Sequence, residues 1–269
     1  MKALEQIDAW PAPTAAVAVV TSDGVVARRG PHDVVLRWAS VTKLLTAYAA
    51  LVAAEEGVLD LDEPGGPPGA TVRHLLAHAS GLPFEGAEPI GRPGERRIYS
   101  NTGFDLLGEL IAARAEMAFA HYLRGAVLDP LELGSVELRG RPSEGLNGPL
   151  RDLARFGREL LAPTLLARET LAEATEVVYP GLVGVLPGIG RQDPNDWGLG
   201  FELKDGKRPH WTGSRNSPRT FGHFGGAGTF LWVDPEPRCA LACLTDLDFG
   251  DWALAGWPPL ADAVLDEVA

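Results

Sequence analysis

Positive charge and cysteine are both scarce in this 269-residue chain. Its 24 Lys and Arg residues stand against 36 Asp and Glu residues, which gives a net charge of -12. Because phosphate binding requires clustered positive charge, this composition argues against a nucleic-acid partner. The two cysteines, Cys239 and Cys243, fall in one predicted strand at a separation of about 13 Å, too far for a disulfide. We therefore expect both to be small buried core residues.

Membrane-spanning and secretory patterns are also missing. The apolar run at residues 15–20 is far too short to cross a bilayer. The first ten residues carry Glu5 and Asp8 and lack the basic start, apolar core and cleavage site of a secretory signal. We therefore expect a cytoplasmic protein without a membrane partner, although a chain from which a leader had been removed would look the same.

Three common catalytic signatures are absent from the sequence: G-x-S-x-G, the P-loop and G-x-G-x-x-G. This removes the α/β-hydrolase, P-loop NTPase and Rossmann classes. His74 and His78 have the i, i+4 spacing of a zinc pair, but Leu75 stands where the H-E-x-x-H motif has its glutamate. No third ligand is evident nearby, so we predict structural histidines, no metal and no cofactor.

The apolar pattern predicts strands at both ends of the chain and helices between them. Predicted strands cover residues 15–21, 25–28, 34–38, 198–203, 228–233 and 239–244. Predicted helices cover residues 2–9, 41–56, 72–78, 102–114, 117–127, 150–161, 168–176 and 260–268. This order favours an α+β fold in which both termini build one sheet and a mainly helical lobe is inserted. We place the sheet lobe at residues 1–62 and 196–269 and the helical lobe at residues 63–195 of one catalytic region, 1–269.

Ser40 and Lys43 form an S-x-x-K motif at the start of the long helix predicted for residues 41–56. Residues three apart share a helix face, so the hydroxyl and the amine can act as nucleophile and base. Lysine is rare here, and unlike arginine it can lose its proton when desolvated by apolar neighbours. Taken alone the motif is weak evidence, because a chain of this length contains about one such match by chance.

Two further motifs follow along the chain. Tyr99 and Asn101 stand just ahead of a predicted helix, where a tyrosine oxygen can relay a proton and an Asn amide can orient a lysine or a substrate. The alternative is a helix N-cap by Ser100 or Asn101, with Tyr99 as a packing residue. Residues 222–228, Gly-His-Phe-Gly-Gly-Ala-Gly, allow a main-chain N–H to point at an oxyanion while His223 faces the substrate. A glycine-rich bend or bulge in a sheet is an equal alternative.

Taken in order, S-x-x-K, Y-x-N and H-x-G resemble the motifs of the serine β-lactamase and penicillin-binding-protein superfamily. The Y-x-N form is similar to the class C β-lactamase branch, which includes esterase and D-aminopeptidase relatives. Residues 57–64, 74–82, 99–108 and 152–156 also look like landmarks of that family. The resemblance extends from near residue 36 to near residue 233, which is most of the chain.

This resemblance implies a β-lactamase/transpeptidase-like fold, with an antiparallel sheet flanked by helices and the active site between the two lobes. Ser40 would be the nucleophile and Lys43 its proton acceptor, with Tyr99 sharing that role and protonating the leaving group. Asn101 would contact the substrate carbonyl or the lysine. The main-chain N–H groups of Ser40 and Gly226 would form the oxyanion hole. The full implied set is Ser40, Lys43, Tyr99, Asn101, His223, Gly225 and Gly226.

Two residues depart from the β-lactamase pattern. His223 stands where those enzymes place a lysine that helps to bind the substrate carboxylate, and a histidine is expected to be only partly charged near neutral pH. Phe224 replaces the hydroxyl residue that follows. We therefore predict a serine hydrolase that forms an acyl-enzyme on Ser40 and acts on small-molecule esters or amides, with weak or no β-lactam hydrolysis. The alternatives are a true β-lactamase or a non-turnover penicillin-binding or sensing module.

Overall fold

Strands from both ends of the chain meet in one sheet in the computed structural model, which describes residues 1–268. The strands are β1 (Ala15–Thr21), β2 (Gly24–Arg29), β3 (Leu36–Arg37), β4 (Glu137–Leu138), β5 (Leu146–Gly148), β6 (Gly184–Leu186), β7 (Gly190–Gln192), β8 (Glu202–Leu203), β9 (Phe221–Gly225), β10 (Thr229–Asp234) and β11 (Cys239–Thr245). The main sheet has the order β2-β1-β11-β10-β9-β8, and each neighbouring pair is antiparallel. The pairing of β1 with β11 joins the two ends of the chain.

Most of the helices lie between β3 and β8. The α-helices are α1 (Thr42–Glu55), α2 (Val72–Leu76), α3 (Asn101–Arg114), α4 (Phe119–Leu123), α5 (Leu150–Leu161), α6 (Arg168–Ala174) and α7 (Asp251–Val268). Two 3-10 helices span Lys2–Ala9 and Ala39–Val41, and a π-helical turn spans Arg124–Leu128. Two smaller sheets lie in the same part of the chain, one with the order β3-β5-β4 and one formed by β6 and β7.

Both faces of the main sheet are covered, and β1 and β11 are buried almost throughout. Successive side chains of a strand point to opposite faces. In β11, Cys239 and Cys243 pack with the N-terminal 3-10 helix and α7, whereas Ala240 and Ala242 join the core formed with α1 and α5. Both cysteines are buried and free, as expected. The sheet is therefore the middle of three layers.

The α+β prediction is confirmed, including the hairpin of β1 and β2 and the helix α1. The strand predicted at residues 34–38 was expected to join the main sheet, and this is wrong. The observed strand β3 is shorter and pairs with β5 of the helical region. Strand β9 was not predicted as a strand, since its glycines suggested a bend. Helix α7 starts at Asp251 rather than at residue 260. The prediction missed its first part because Pro258 and Pro259 lie inside the helix, where proline is normally disfavoured.

The lobe boundaries remain a prediction. The packing of helix α5 is relevant to where they lie. This helix lies within residues 63–195, yet it packs against β1, β10 and β11 of the main sheet. Helices α2 and α3 instead pack on each other, and α3 also packs on α1. The 3-10 turn that precedes α1 contacts β9 and β10. The start of α1 therefore lies where the sheet meets the helices.

Candidate active site

Ser40 lies in the tight helical turn that precedes α1. The Trp38 indole donates to the carbonyl of Gly148 at 3.1 Å, and the Trp38 carbonyl accepts from the Thr229 hydroxyl at 2.9 Å. Ala39 has φ 45, in the left-handed region that residues with a side chain seldom adopt. Such a conformation persists only where surrounding contacts hold it. These contacts therefore hold the backbone at Ser40 in place, and the residue itself is half-buried.

The side chain of Lys43 is completely buried. Loss of hydration lowers its pKa to about 7, against a smaller opposing effect from the carboxylates of Glu144 and Asp105. Its Nζ donates to Asn101 Oδ1 at 2.5 Å and to the Ser143 carbonyl at 3.0 Å. Two acceptors match the two N–H bonds of a neutral amine. The nitrogen lone pair then remains available to accept a proton.

Tyr99 lies beside Lys43 and His223 and lines the same cavity as Ser40. Its ring centroid lies 4.8 Å from Lys43 Nζ, and its hydroxyl lies 3.3 Å from His223 Nε2. Burial raises the pKa of Tyr99, and the neighbouring Ser40 only partly opposes that effect. No hydrogen bond within residues 1–268 joins Ser40 directly to Lys43. The protonated phenol is therefore placed to give or relay a proton beside the serine.

His223 is buried within β9. Burial, with a further contribution from the charge of Lys43, lowers its pKa to about 3, so the ring is neutral near pH 7. Its Nδ1 lies 2.5 Å from the Phe224 carbonyl, which can only accept, so Nδ1 carries the proton and Nε2 accepts from Tyr99. The expectation of a partly charged histidine is therefore wrong, because it did not include the loss of solvent.

Asn101 is held so that its carbonyl oxygen faces Lys43. Its Nδ2 donates to Glu85 Oε1 at 2.9 Å, and Arg141 donates to both oxygens of the same carboxylate at 2.8 Å. The Arg141 hydrogen bonds, followed by that of Asn101, lower the pKa of Glu85 to about 2. A permanent carboxylate therefore fixes the orientation of the Asn101 amide. Neither Glu85 nor Arg141 was identified from the sequence, since both lie in loops without a motif.

Ser100 and His78 hold the segment that carries Tyr99 and Asn101. The Ser100 hydroxyl caps α3 by accepting from the Gly103 N–H at 2.9 Å, and its own N–H donates to His78 Nδ1 at 3.1 Å. The buried His78 ring lies 4.5 Å from the Tyr99 ring, between centroids. The helix-cap interpretation of this motif is therefore correct, and it is compatible with a catalytic one.

Gly225 and Gly226 differ in what surrounds them. A Cβ atom on Gly225 would lie 2.5 Å from the Trp38 carbonyl oxygen, so glycine is required for β9 to approach the Ser40 turn. A Cβ atom on Gly226 would meet no atom within 4 Å. The carbonyl of Gly226 accepts from the Phe249 N–H at 2.9 Å, whereas its amide, which follows the last residue of β9, is the donor of no backbone hydrogen bond in residues 1–268.

Ser40, Tyr99, His223 and Gly226 line one cavity of about 170 Å³. The rest of its wall is mostly apolar and consists of Phe84, Leu186, Pro187, Gly188, Trp197, Phe224, Phe249 and the single carboxylate Glu202. None of the Lys or Arg residues in the described chain lines this cavity. The wall therefore offers an aromatic surface and no cation for a substrate carboxylate. Residues far apart in sequence build this wall, which motif analysis did not reveal.

The Glu202 carboxylate is already fully engaged by protein groups. His210 Nε2 lies 2.9 Å from Oε2, the Trp211 indole donates to the same oxygen at 3.0 Å, and Lys207 donates to Oε1. Burial alone would raise the pKa of Glu202, but His210 and Lys207 lower it to about 2. This buried ion pair supports the cavity wall behind Trp197.

The two histidines with zinc-like spacing make different contacts. His74 Nδ1 contacts the Thr71 hydroxyl at 2.9 Å, and its ring stacks on Tyr179 at 4.4 Å, whereas His78 bonds to Ser100 as described. Within residues 1–268, no group of three or more His, Cys, Asp or Glu side chains is arranged to hold a metal ion. In the same range, no helix is both apolar enough and long enough to span a membrane.

The fold and the cluster around Ser40 are those of a β-lactamase-like protein. The chain belongs to the beta-lactamase family, whose sequence model matches residues 5–265. This confirms the resemblance and the β-lactamase/transpeptidase-like fold expected from the three motifs, and it places the chain in a hydrolase superfamily. Of the seven predicted site residues, four line the cavity: Ser40, Tyr99, His223 and Gly226. Lys43 packs against Tyr99 and is hydrogen-bonded to Asn101, and Gly225 packs against the turn that carries Ser40.

Three relatives illustrate the range of similar proteins. A beta-lactamase from Mycobacterium bovis is 52% identical, with a TM-score of 0.98 over 99% of each chain. A D-stereospecific amidohydrolase from Streptomyces sp. is 22% identical and shares the fold, with a TM-score of 0.73 over 94% of this chain and 96% of that chain. Penicillin-binding protein 4* of Bacillus subtilis (strain 168) is 28% identical in an alignment 176 positions long that covers 52% of this chain and 38% of the relative. The match thus spans well under half of that longer protein.

Proposed function

We propose that this protein is a serine hydrolase that forms an acyl-enzyme on Ser40 and acts on small ester or amide substrates. The observation that carries this proposal is the buried amine of Lys43, whose pKa is lowered to about 7 and whose two hydrogen bonds leave a lone pair free. The Tyr99 ring packs against this amine, and Tyr99 and Ser40 line the same cavity. A weak hydroxyl nucleophile becomes reactive when a base of this kind is beside it.

In acylation, Ser40 Oγ bonds to the substrate carbonyl carbon while Lys43 accepts the serine proton, a role that Tyr99 shares. The amides of Ser40 and Gly226 stabilise the oxyanion, and each such donor contributes about 2.7–4 kcal/mol to transition-state binding. The bond to the alcohol or amine then breaks, Tyr99 protonates the leaving group, and the proton held by Lys43 passes to Tyr99. Water next attacks the acyl carbon and gives its proton to the neutral Lys43, and this proton passes to Ser40 Oγ as the acid is released.

The cavity favours a neutral group next to the reacting carbonyl. His223 is uncharged, the wall is mostly aromatic, and its one carboxylate is engaged by the protein. A β-lactam presents a carboxylate that such a wall does not pair. We therefore propose weak or no β-lactam hydrolysis, and esters or amides as the working substrates. The amidohydrolase among the structural relatives supports an amide as one of these classes.

A fluorophosphonate probe and a fluorogenic penicillin test the nucleophile. We expect the wild-type protein and the control Ser22→Ala, in the β1–β2 turn, to be labelled by the fluorophosphonate, and Ser40→Ala to remain unlabelled. If neither reagent labels the wild-type protein at Ser40, the mechanism is wrong.

Time-resolved intact-mass measurement separates turnover from permanent binding. A transient adduct with p-nitrophenyl acetate supports a hydrolase, whereas a permanent adduct indicates a non-turnover binding or sensing protein. Rapid turnover of a chromogenic cephalosporin would instead indicate a true β-lactamase.

A further inference from the structure

A long groove continues from the catalytic cavity along the protein surface. Its volume is about 800 Å³, within the usual range for small-molecule sites. It shares Phe84, Tyr99 and Pro187 with the cavity that contains Ser40. The other lining residues are Ile90, Arg96, Arg97, Ile98, Val183, Gly184, Val185 and Arg191. A substrate bound at Ser40 can therefore extend into this groove without leaving the protein.

Two neighbouring segments set the direction of the groove. The Arg97 N–H donates to the Val183 carbonyl at 2.9 Å, and Arg97 forms a parallel bridge with Gly184. Arg97 is buried, whereas Arg96 beside it is exposed. Tyr99 lines both the cavity and the groove, so the segment from Arg96 to Tyr99 runs from the groove wall to the cavity.

The groove concentrates large apolar side chains at the surface. Phe84, Ile90 and Val185 are 51%, 55% and 58% exposed. Single exposed apolar residues are common, but several that line one groove are typical of a binding site for an apolar group. The half-open shape suits a flexible chain that is bound along its length.

A cation lines the same groove as these apolar side chains. The Arg96 guanidinium donates to the Ile90 carbonyl at 2.8 Å, and within the described chain no carboxylate lies within 4 Å of it. Arg191, by contrast, is paired with Asp193 at 3.1 Å, and the buried Arg97 donates to main-chain carbonyls. Arg96 is therefore available to an anionic group on the substrate.

We propose that the groove binds the leaving group of the substrate: an aliphatic alcohol chain that ends in a carboxylate paired with Arg96. The groove opens at Tyr99, which protonates the leaving oxygen, so the chain attached to that oxygen enters it. This inference rests on the proposed hydrolase function and adds the identity of the leaving group.

Acetate esters of ω-hydroxy acids, with alcohol chains of two to ten carbons, test the proposal. Each ester gives the same acetyl group on Ser40, so differences in kcat/KM report acylation and groove binding alone. We expect kcat/KM to rise by about twofold for each added methylene, since the groove removes part of the methylene surface from water, and to level off at the chain length whose carboxylate reaches Arg96. The matching esters with a terminal primary amide should react several times more slowly at that length.

Substitutions test which residues produce the carboxylate preference and the dependence on chain length. Arg96→Gln should remove the preference for the carboxylate over the amide, whereas Arg92→Gln, a nearby exposed arginine, should retain it. Val185→Asn should flatten the dependence on chain length. Val26→Asn, an exposed valine of β2, should leave that dependence unchanged.

The possible failures are distinct. Acetylation of Ser40 with a kcat/KM independent of chain length, or a carboxylate preference unaffected by Arg96→Gln, overturns the groove proposal only. Absence of any acetyl adduct on Ser40 with all esters overturns the proposed function itself.

Discussion

Replacing Lys43 by methionine tests the basis of the mechanism, because it removes the buried amine and keeps an apolar chain of similar length. In the folded protein, burial lowers the pKa of Lys43 from 10.5 to about 7. Between these values the unfolded chain binds more protons than the folded chain, so lysine makes stability increase with pH. Below about pH 7 the amine is charged in both states, and the full free-energy cost of burying the ammonium opposes folding.

The magnitude follows from the shift of the pKa. One pKa unit corresponds to about 1.36 kcal/mol, so the full shift represents roughly 5 kcal/mol of unfolding free energy. Between pH 7 and pH 9, linkage predicts that the wild-type protein gains roughly 2 kcal/mol of stability relative to Lys43→Met. The pKa values of His78 and His223 are lowered by burial and lie below this window, so their titration does not obscure the comparison.

Urea denaturation of both proteins at several pH values measures this difference directly. The same chemistry predicts that kcat/KM of the wild-type protein rises with pH through about 7, as the amine becomes neutral, and that Lys43→Met is inactive at every pH. If the two unfolding free energies change in parallel from pH 7 to pH 9, the amine is not desolvated as described and cannot be the base.

Three further substitutions test other parts of the site. Tyr99→Phe should lower the acylation rate by about 10²–10⁴-fold in stopped-flow assays while the melting temperature changes little, because a proton donor is lost and the ring is kept; unfolding would instead indicate a packing role. Gly225→Ala should destabilise the protein in thermal melts, since its methyl group would lie 2.5 Å from the Trp38 carbonyl oxygen; an unchanged melting temperature would contradict this contact. Lys207→Met should cost about 3–5 kcal/mol in urea denaturation, because it leaves Glu202 charged and buried without its lysine; a neutral effect would show that the ion pair does not support the cavity wall.

Local sequence patterns predicted much of the fold because their signals are short-range. The Asp23-Gly24 turn between two apolar runs specified the hairpin, and the apolar run after Ser40 specified α1. The partner of β3 was missed, since β5 lies more than a hundred positions away. Strand β9 was missed because its glycines indicated a bend, although it pairs with the nearby β10. The start of α7 was missed because tertiary packing overcame the preference of proline against helix interiors.

The sequence by itself determined which reactive groups are present and in which order, and this was enough to assign the family and to select Ser40 and Lys43. Only the tertiary structure decided their chemical state. It desolvated Lys43, placed the neutral His223 beside Tyr99, and fixed the Asn101 amide through Glu85. A pKa depends on the dielectric surroundings and on charges within a few ångströms, and these come from distant segments that no local pattern encodes.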